Sequence, residues 1–133
     1  MAKLSKIEGI GDSFAEKLKG AGITTIEKLL AEGATSQGRK EIAKKSKISE
    51  KLISKWVHHA DLFRIKGIAG QKAELLEASG VDSVKTLAKS KPESLYTSML
   101  QMNEKKNLVQ RVPGMVQIQR WVETARKMPS VVK

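Results

Sequence analysis

Ile7-Glu8-Gly9-Ile10-Gly11, followed by Asp12-Ser13-Phe14-Ala15-Glu16-Lys17-Leu18-Lys19 and closed by Gly20-Ala21-Gly22-Ile23, is the stretch from which the fold is read. Two glycines around an isoleucine form a tight hairpin, because glycine lacks a Cβ and takes positive φ freely. Phe14, Ala15 and Leu18 share one face of a short helix over 13–19. Gly22 stands where a helix C-terminus favours glycine. The first N–H groups of such a helix have no intrahelical partner, and its dipole is positive there. Hairpin and helix start together predict a phosphate seat.

The pattern returns. Ile7, Gly9, Ile10, Ala15, Leu18, Gly22, Ile23, Ile26 and Leu29 match Ile65, Gly67, Ile68, Ala73, Leu76, Gly80, Val81, Val84 and Leu87, each 58 residues later. Ile53-Ser54-Lys55-Trp56-Val57 matches Ile118-Gln119-Arg120-Trp121-Val122 at an offset of 65, so the second copy carries a seven-residue insertion, placed between Ser90 and Arg111. Such self-similarity is the signature of a repeated unit. Repeat one is set at 4–63, repeat two at 64–128, and 129–133 is read as a loose tail, all within one domain, 1–133. The Trp56 helix leads directly into the second hairpin, whereas the first hairpin has no helix before it. Pseudo-symmetry therefore predicts that the Trp121 helix packs beside the first hairpin and closes the domain.

Between these landmarks the chain reads as helix throughout. Thr24 or Thr25 caps a helix to about Ala31 with Ile26, Leu29 and Leu30 inward. Residues 32–38 read as loop, from Gly33, Thr35, Ser36 and Gly38. A short helix over 39–45 turns Ile42 and Ala43 inward, and Ser49 caps a helix to about Phe63 with Leu52, Ile53, Trp56, Val57 and Ala60 on one face. Helices follow over 71–79, from Asp82 as N-cap to Ala88, and from Pro92 with Leu95, Met99, Leu100 and Met102 inward. Residues 103–112 continue as helix, Pro113-Gly114 breaks it, and 115–127 is the last helix, with Val116, Ile118, Trp121, Val122 and Ala125 inward.

Composition agrees with an all-α fold. Hydrophobic residues reach 40% while aromatics are only 4%, so the core is aliphatic, and the 3 prolines leave long helices unbroken. The chain has 133 residues, with 25 Lys and Arg against 14 Asp and Glu, a net charge of +11. A small domain this basic points to a polyanionic partner, nucleic acid first, ahead of an anionic membrane surface or an acidic protein. There is no cysteine, which removes disulfides and thiolate metal sites. The start, Met1-Ala2-Lys3-Leu4-Ser5-Lys6, lacks the apolar core of a signal peptide, and no apolar run has transmembrane length. A cytoplasmic protein is expected, nucleoid-associated if it binds DNA.

Ile7-x-Gly9-Ile10-Gly11-x-x-x-Ala15-x-x-Leu18 with Gly22-Ile23 resembles the helix-hairpin-helix motif of DNA-binding and repair proteins. Gly38-Arg39-Lys40-Glu41-Ile42-Ala43, Ile48-Ser49, Trp56-Val57, Ala60-Asp61-Leu62 and Ile65-Lys66-Gly67-Ile68 extend the likeness over nearly the whole chain, to a prokaryotic family of tandem helix-hairpin-helix proteins known mainly as a domain of unknown function. The resemblance implies two motifs paired about a pseudo-twofold axis and contact with phosphates, largely without reading sequence. Carried over by residue, it gives Gly9, Ile10, Gly11, Asp12 and Ser13 at the first hairpin, with Lys17 and Lys19 beyond. At the second it gives Lys66, Gly67, Ile68, Ala69, Gly70, Gln71 and Lys72. Two departures stand out: Asp12 brings a carboxylate to the first seat, and Ala69 replaces the second glycine of the other. The first hairpin, which keeps both glycines, is the stronger candidate.

Other constellations point to less. Residues 41–56 read as helix, turn and capped helix with Lys51 and Lys55 outward, like a helix-turn-helix. Base readout wants Arg, Asn or Gln at the start of the second helix, where Ser49, Glu50 and Lys51 stand, so a basic solvated face is the simpler reading. His58 and His59 are adjacent and diverge, so no metal site is expected. Trp56 and Trp121 read as packing anchors. No nucleophile and base, no P-loop and no carboxylate pair are found, so neither catalysis, nor a cofactor, nor a small-molecule substrate is expected. The expected function is non-catalytic, largely sequence-independent binding of nucleic acid, duplex DNA first. The rival is a protein-interaction adaptor, with Met99, Met102, Met115 and Met128 as candidates for an apolar docking patch.

Overall fold

The computed structural model describes residues 2–133; Met1, the first residue of the N-terminal stretch read above, lies outside them. A 3-10 turn over Leu4–Lys6 precedes eight helices: α1 Asp12–Gly20, α2 Ile26–Glu32, α3 Ser36–Ser46, α4 Glu50–Leu62, α5 Gly70–Ala78, α6 Val84–Ala88, α7 Pro92–Lys106 and α8 Met115–Lys127. Among the described residues there is no strand, only an isolated antiparallel bridge between Lys3 and Thr25. The chain divides into two compact units: one reaches Asp61 and takes in Val131–Lys133, and the other is Leu62–Ser130.

In the first unit Ala2 is fixed to the start of α2. Ile26 N–H donates to the Ala2 carbonyl at 3.1 Å, and the Ala2 N–H donates to Glu27 Oε1 at 3.0 Å. That hydrogen bond, ahead of the one from Glu27's own backbone N–H, holds the Glu27 carboxyl below its ordinary range. The core gathers Leu4, Ile7, Ile10, Leu18, Ile23, Leu29, Ile42, Ile53, Trp56 and Val57, all buried. Helix α1 packs on α3, and α2 does the same.

Helix α1 ends in a Schellman turn. Gly22 takes φ +86, its N–H donates to the Lys19 carbonyl, and the Ile23 N–H reaches the Leu18 carbonyl at 2.9 Å. In the second unit Gly80 (φ +95) and the bond from Val81 N–H to the Leu76 carbonyl (2.8 Å) close α5 in the same way. That unit's core holds Leu62, Ile65, Leu75, Leu76, Val84, Leu87, Leu95, Met99, Ile118, Trp121 and Val122, with α8 against α6 and α7.

Several boundaries differ from the sequence reading. Helix α3 begins at Ser36, not 39, because Thr35 caps it: its hydroxyl accepts from the Gly38 N–H at 3.0 Å. Gly38 is no breaker; a Cβ there would collide with the Glu32 carbonyl, so glycine lets α2 and α3 meet closely. The cap of α6 is Ser83, not Asp82, in a reciprocal box with Thr86.

Helix α7 stops at Lys106, with Asn107 in the left-handed region (φ +50), and residues 107–114 are not helical. The Asn103 amide grips Val109 on both sides, accepting from its N–H (2.9 Å) and donating to its carbonyl (3.0 Å), which draws the chain away from the helix axis. Leu100 and Val116, expected inside, are 43% and 62% exposed. The terminal residues are anchored rather than loose: Arg39 Nη2 donates to the Lys133 carbonyl, and the Lys133 N–H donates to the Ala34 carbonyl at 2.7 Å.

Candidate nucleic-acid interface

The first hairpin is a four-residue turn closed by the Ile10 N–H on the Ile7 carbonyl at 3.2 Å. Gly9, its third residue, takes φ +93. Ile7 and Ile10 are buried on either side, so Glu8 and Gly9 form an exposed tip. Gly11 follows in extended conformation (φ −92, ψ −170) as the N-cap of α1, and no side chain caps that end. The N–H groups of Gly11, Asp12, Ser13 and Phe14 make no hydrogen bond among the described residues, and Gly11 to Ser13 are exposed. A Cβ on Gly11 would meet nothing within 4 Å. Neither a positive φ nor a lack of space requires glycine there.

Trp56 forms the floor. It is 1% exposed, its Nε1 would stand 3.5 Å from a Cβ on Gly9, and its ring meets Phe14 edge-on, centroids 5.0 Å apart. Lys17 Nζ lies 5.8 Å from the Phe14 centroid, a cation–π position. Lys17 and Lys19 are exposed, and so are the carboxylates of Glu8 and Asp12 that border the open N–H groups.

At the second hairpin the Ile68 N–H closes on the Ile65 carbonyl at 3.2 Å, with Gly67 at φ +96. Trp121 Nε1 and Gln117 Nε2 would each stand 3.3 Å from a Cβ on Gly67. Trp121 thus covers the hairpin of its own unit, and Trp56 does the same for Gly9. Ala69 caps α5 in extended backbone (φ −156), open to any residue, as the matching Gly11 is (φ −92), and Gly70 takes φ +45.

The two hairpins differ in what they offer an anion. Lys66 stands at the position of Glu8 and Gly70 at that of Asp12, and Lys66, Gln71 and Lys72 are exposed. The Lys72 N–H, counterpart of the open Phe14 N–H, is engaged by the Ala69 carbonyl at 3.0 Å. The first hairpin therefore offers more free N–H groups beside two carboxylates, and the second fewer beside two lysines. Ile10 and Ile68 contribute no free N–H at either, since both donate within the turn. The sequence marks the tryptophans as core anchors; their burial against matched glycines appears only in three dimensions.

His59 is fully buried and His58 half-buried, and among the described residues no group of three His, Cys, Asp or Glu is placed to hold a metal. Of the methionines named for a docking patch, Met99 is fully buried, and Met102, Met115 and Met128 are half-buried. No helix among the described residues is long and apolar enough to cross a membrane. Comparison with curated proteins and with solved structures returns no match. A family model described as "Domain of unknown function (DUF4332)" matches residues 8–128, from the tip of the first hairpin to the end of α8, and the chain belongs to that family.

Proposed function

We propose that this protein binds nucleic acid, duplex DNA first, through the phosphate backbone and with little regard to sequence. It is a binding module and not a catalyst. On this reading the two hairpins are copies of one helix-hairpin-helix module, each seating phosphate on backbone N–H groups and neighbouring lysines. The observation that carries it is the uncapped start of α1: four open N–H groups behind a bare Gly11, in a chain of net charge +11. Such contacts hold position on the duplex and carry no base information.

Titration of a labelled duplex over a range of salt tests the reading. The logarithm of the binding constant should fall linearly with the logarithm of salt, by about 0.9 for each phosphate neutralised. Absence of any complex at low salt overturns it. For the protein-adaptor reading Leu100 and Val116 are the exposed large apolar residues, and such residues are common on ordinary surfaces. Co-purification with and without nuclease separates the two: partners lost on nuclease treatment favour nucleic acid.

A further inference from the structure

We propose that the corner between α3 and α4 is a second phosphate-binding face, on which Lys40, Lys44, Lys45, Lys47 and Lys51 hold the nucleic-acid backbone independently of the hairpins. This rests on the nucleic-acid reading above and extends its footprint. Residues 39–55 hold seven basic and two acidic side chains, a net +5 of the chain's +11. Arg39 is occupied by the carbonyls of Gly33, Ala34 and Lys133. The five lysines named are all exposed, and none has a carboxylate at ion-pair distance among the described residues.

The corner is firmly built from beneath. Ile42, Ser46, Ile48 and Ile53 are buried, the Ser46 hydroxyl donates to the Ile42 carbonyl, and the Ser49 hydroxyl accepts from the Leu52 N–H. Lys47 makes the turn in the left-handed region, φ +61, where lysine is uncommon. The backbone that carries the lysines is thereby preorganised, which lowers the ordering cost of binding.

Helix electrostatics does not account for the cluster. Lys44 and Lys45 suit the negative end of α3, but Lys51 sits in the first turn of α4, where the dipole opposes a cation. Lys40 and Lys44 repel each other at the four-residue spacing on one exposed face. The fold gains nothing from Lys40 and Lys51, whereas a polyanion would relieve the repulsion at both. Backbone contact, not base readout, suits a face whose exposed cations are all lysines.

The test measures duplex affinity against salt for three full-length proteins. One is the parent. The second carries Lys40→Gln, Lys44→Gln, Lys47→Gln and Lys51→Gln. The third carries Lys85→Gln, Lys89→Gln, Lys105→Gln and Lys106→Gln, which removes the same charge from exposed positions elsewhere. The corner variant should lose about tenfold or more at low salt, with a salt slope shallower by about 0.9 for each contact removed, while the control loses far less. A corner variant with the parent's affinity and slope, or a control that loses as much, overturns the inference alone. A parent that binds no duplex overturns the nucleic-acid reading and this inference with it.

Discussion

Trp56 lies under Gly9: the indole Nε1 would stand 3.5 Å from a Cβ on that glycine, and the ring takes Phe14 edge-on from the first turn of α1. One buried side chain thus supports both the turn and the helix start from which the open N–H groups project. Trp121 takes the same place under Gly67.

Alanine at Gly9 or Gly67 must take a φ of +93 or +96, at a cost of about 1–2 kcal/mol. At Gly9 the new methyl makes ordinary contact with Trp56. At Gly67 it meets Trp121 and Gln117 at 3.3 Å, and one of them must give way. Denaturant unfolding should therefore show Gly67→Ala as the more destabilised of the two. Equal or reversed losses would contradict the packing described.

Asn103→Ala removes both partners of the Val109 backbone, and Val109 is only 7% exposed. Leaving that N–H and carbonyl unsatisfied should cost about 2 kcal/mol. Hydrogen exchange should find the 107–114 segment the first to lose protection. An unchanged melting temperature would show that Asn103 does not hold the segment.

Glu27 gives a pH dependence of defined sign. Its carboxyl titrates lower in the folded chain than in the unfolded one, chiefly because it accepts from the Ala2 N–H. The stabilisation is therefore present above the unfolded value, roughly 4.3, and is lost as pH falls through the folded one. The stability gap between the parent and Glu27→Gln should be constant near neutrality and close under acid. A gap that widens on acidification would reverse the assignment.

Much of this was legible from local pattern. Gly22 and Gly80 announce the ends of α1 and α5 because only the left-handed turn after a helix asks for glycine there. Helix α8 is 115–127 as read, between Pro113-Gly114 and Met128-Pro129. The misreadings arise where distant groups decide. Gly38 looks like a breaker until the Glu32 carbonyl is seen against it. Residues 103–106 are helical as expected, but 107–112, of ordinary helical composition, are diverted where Asn103 grips Val109. The anchor between Arg39 and Lys133 spans 94 residues and leaves no local signal. At the candidate interface the glycines and lysines were visible, but which N–H groups stay open was not, since that depends on whether the fourth N–H closes on the cap carbonyl. It does so at Lys72 and not at Phe14.

The central claim is that the first hairpin seats a phosphate on the backbone around Gly11, and Gly11→Val tests it most directly. The position is extended and a Cβ there meets nothing, so circular dichroism and melting should stay close to those of the parent. Duplex affinity at low salt should fall by about tenfold, as expected for loss of a backbone phosphate contact. A folded Gly11→Val protein that binds the duplex as tightly as the parent would contradict the account.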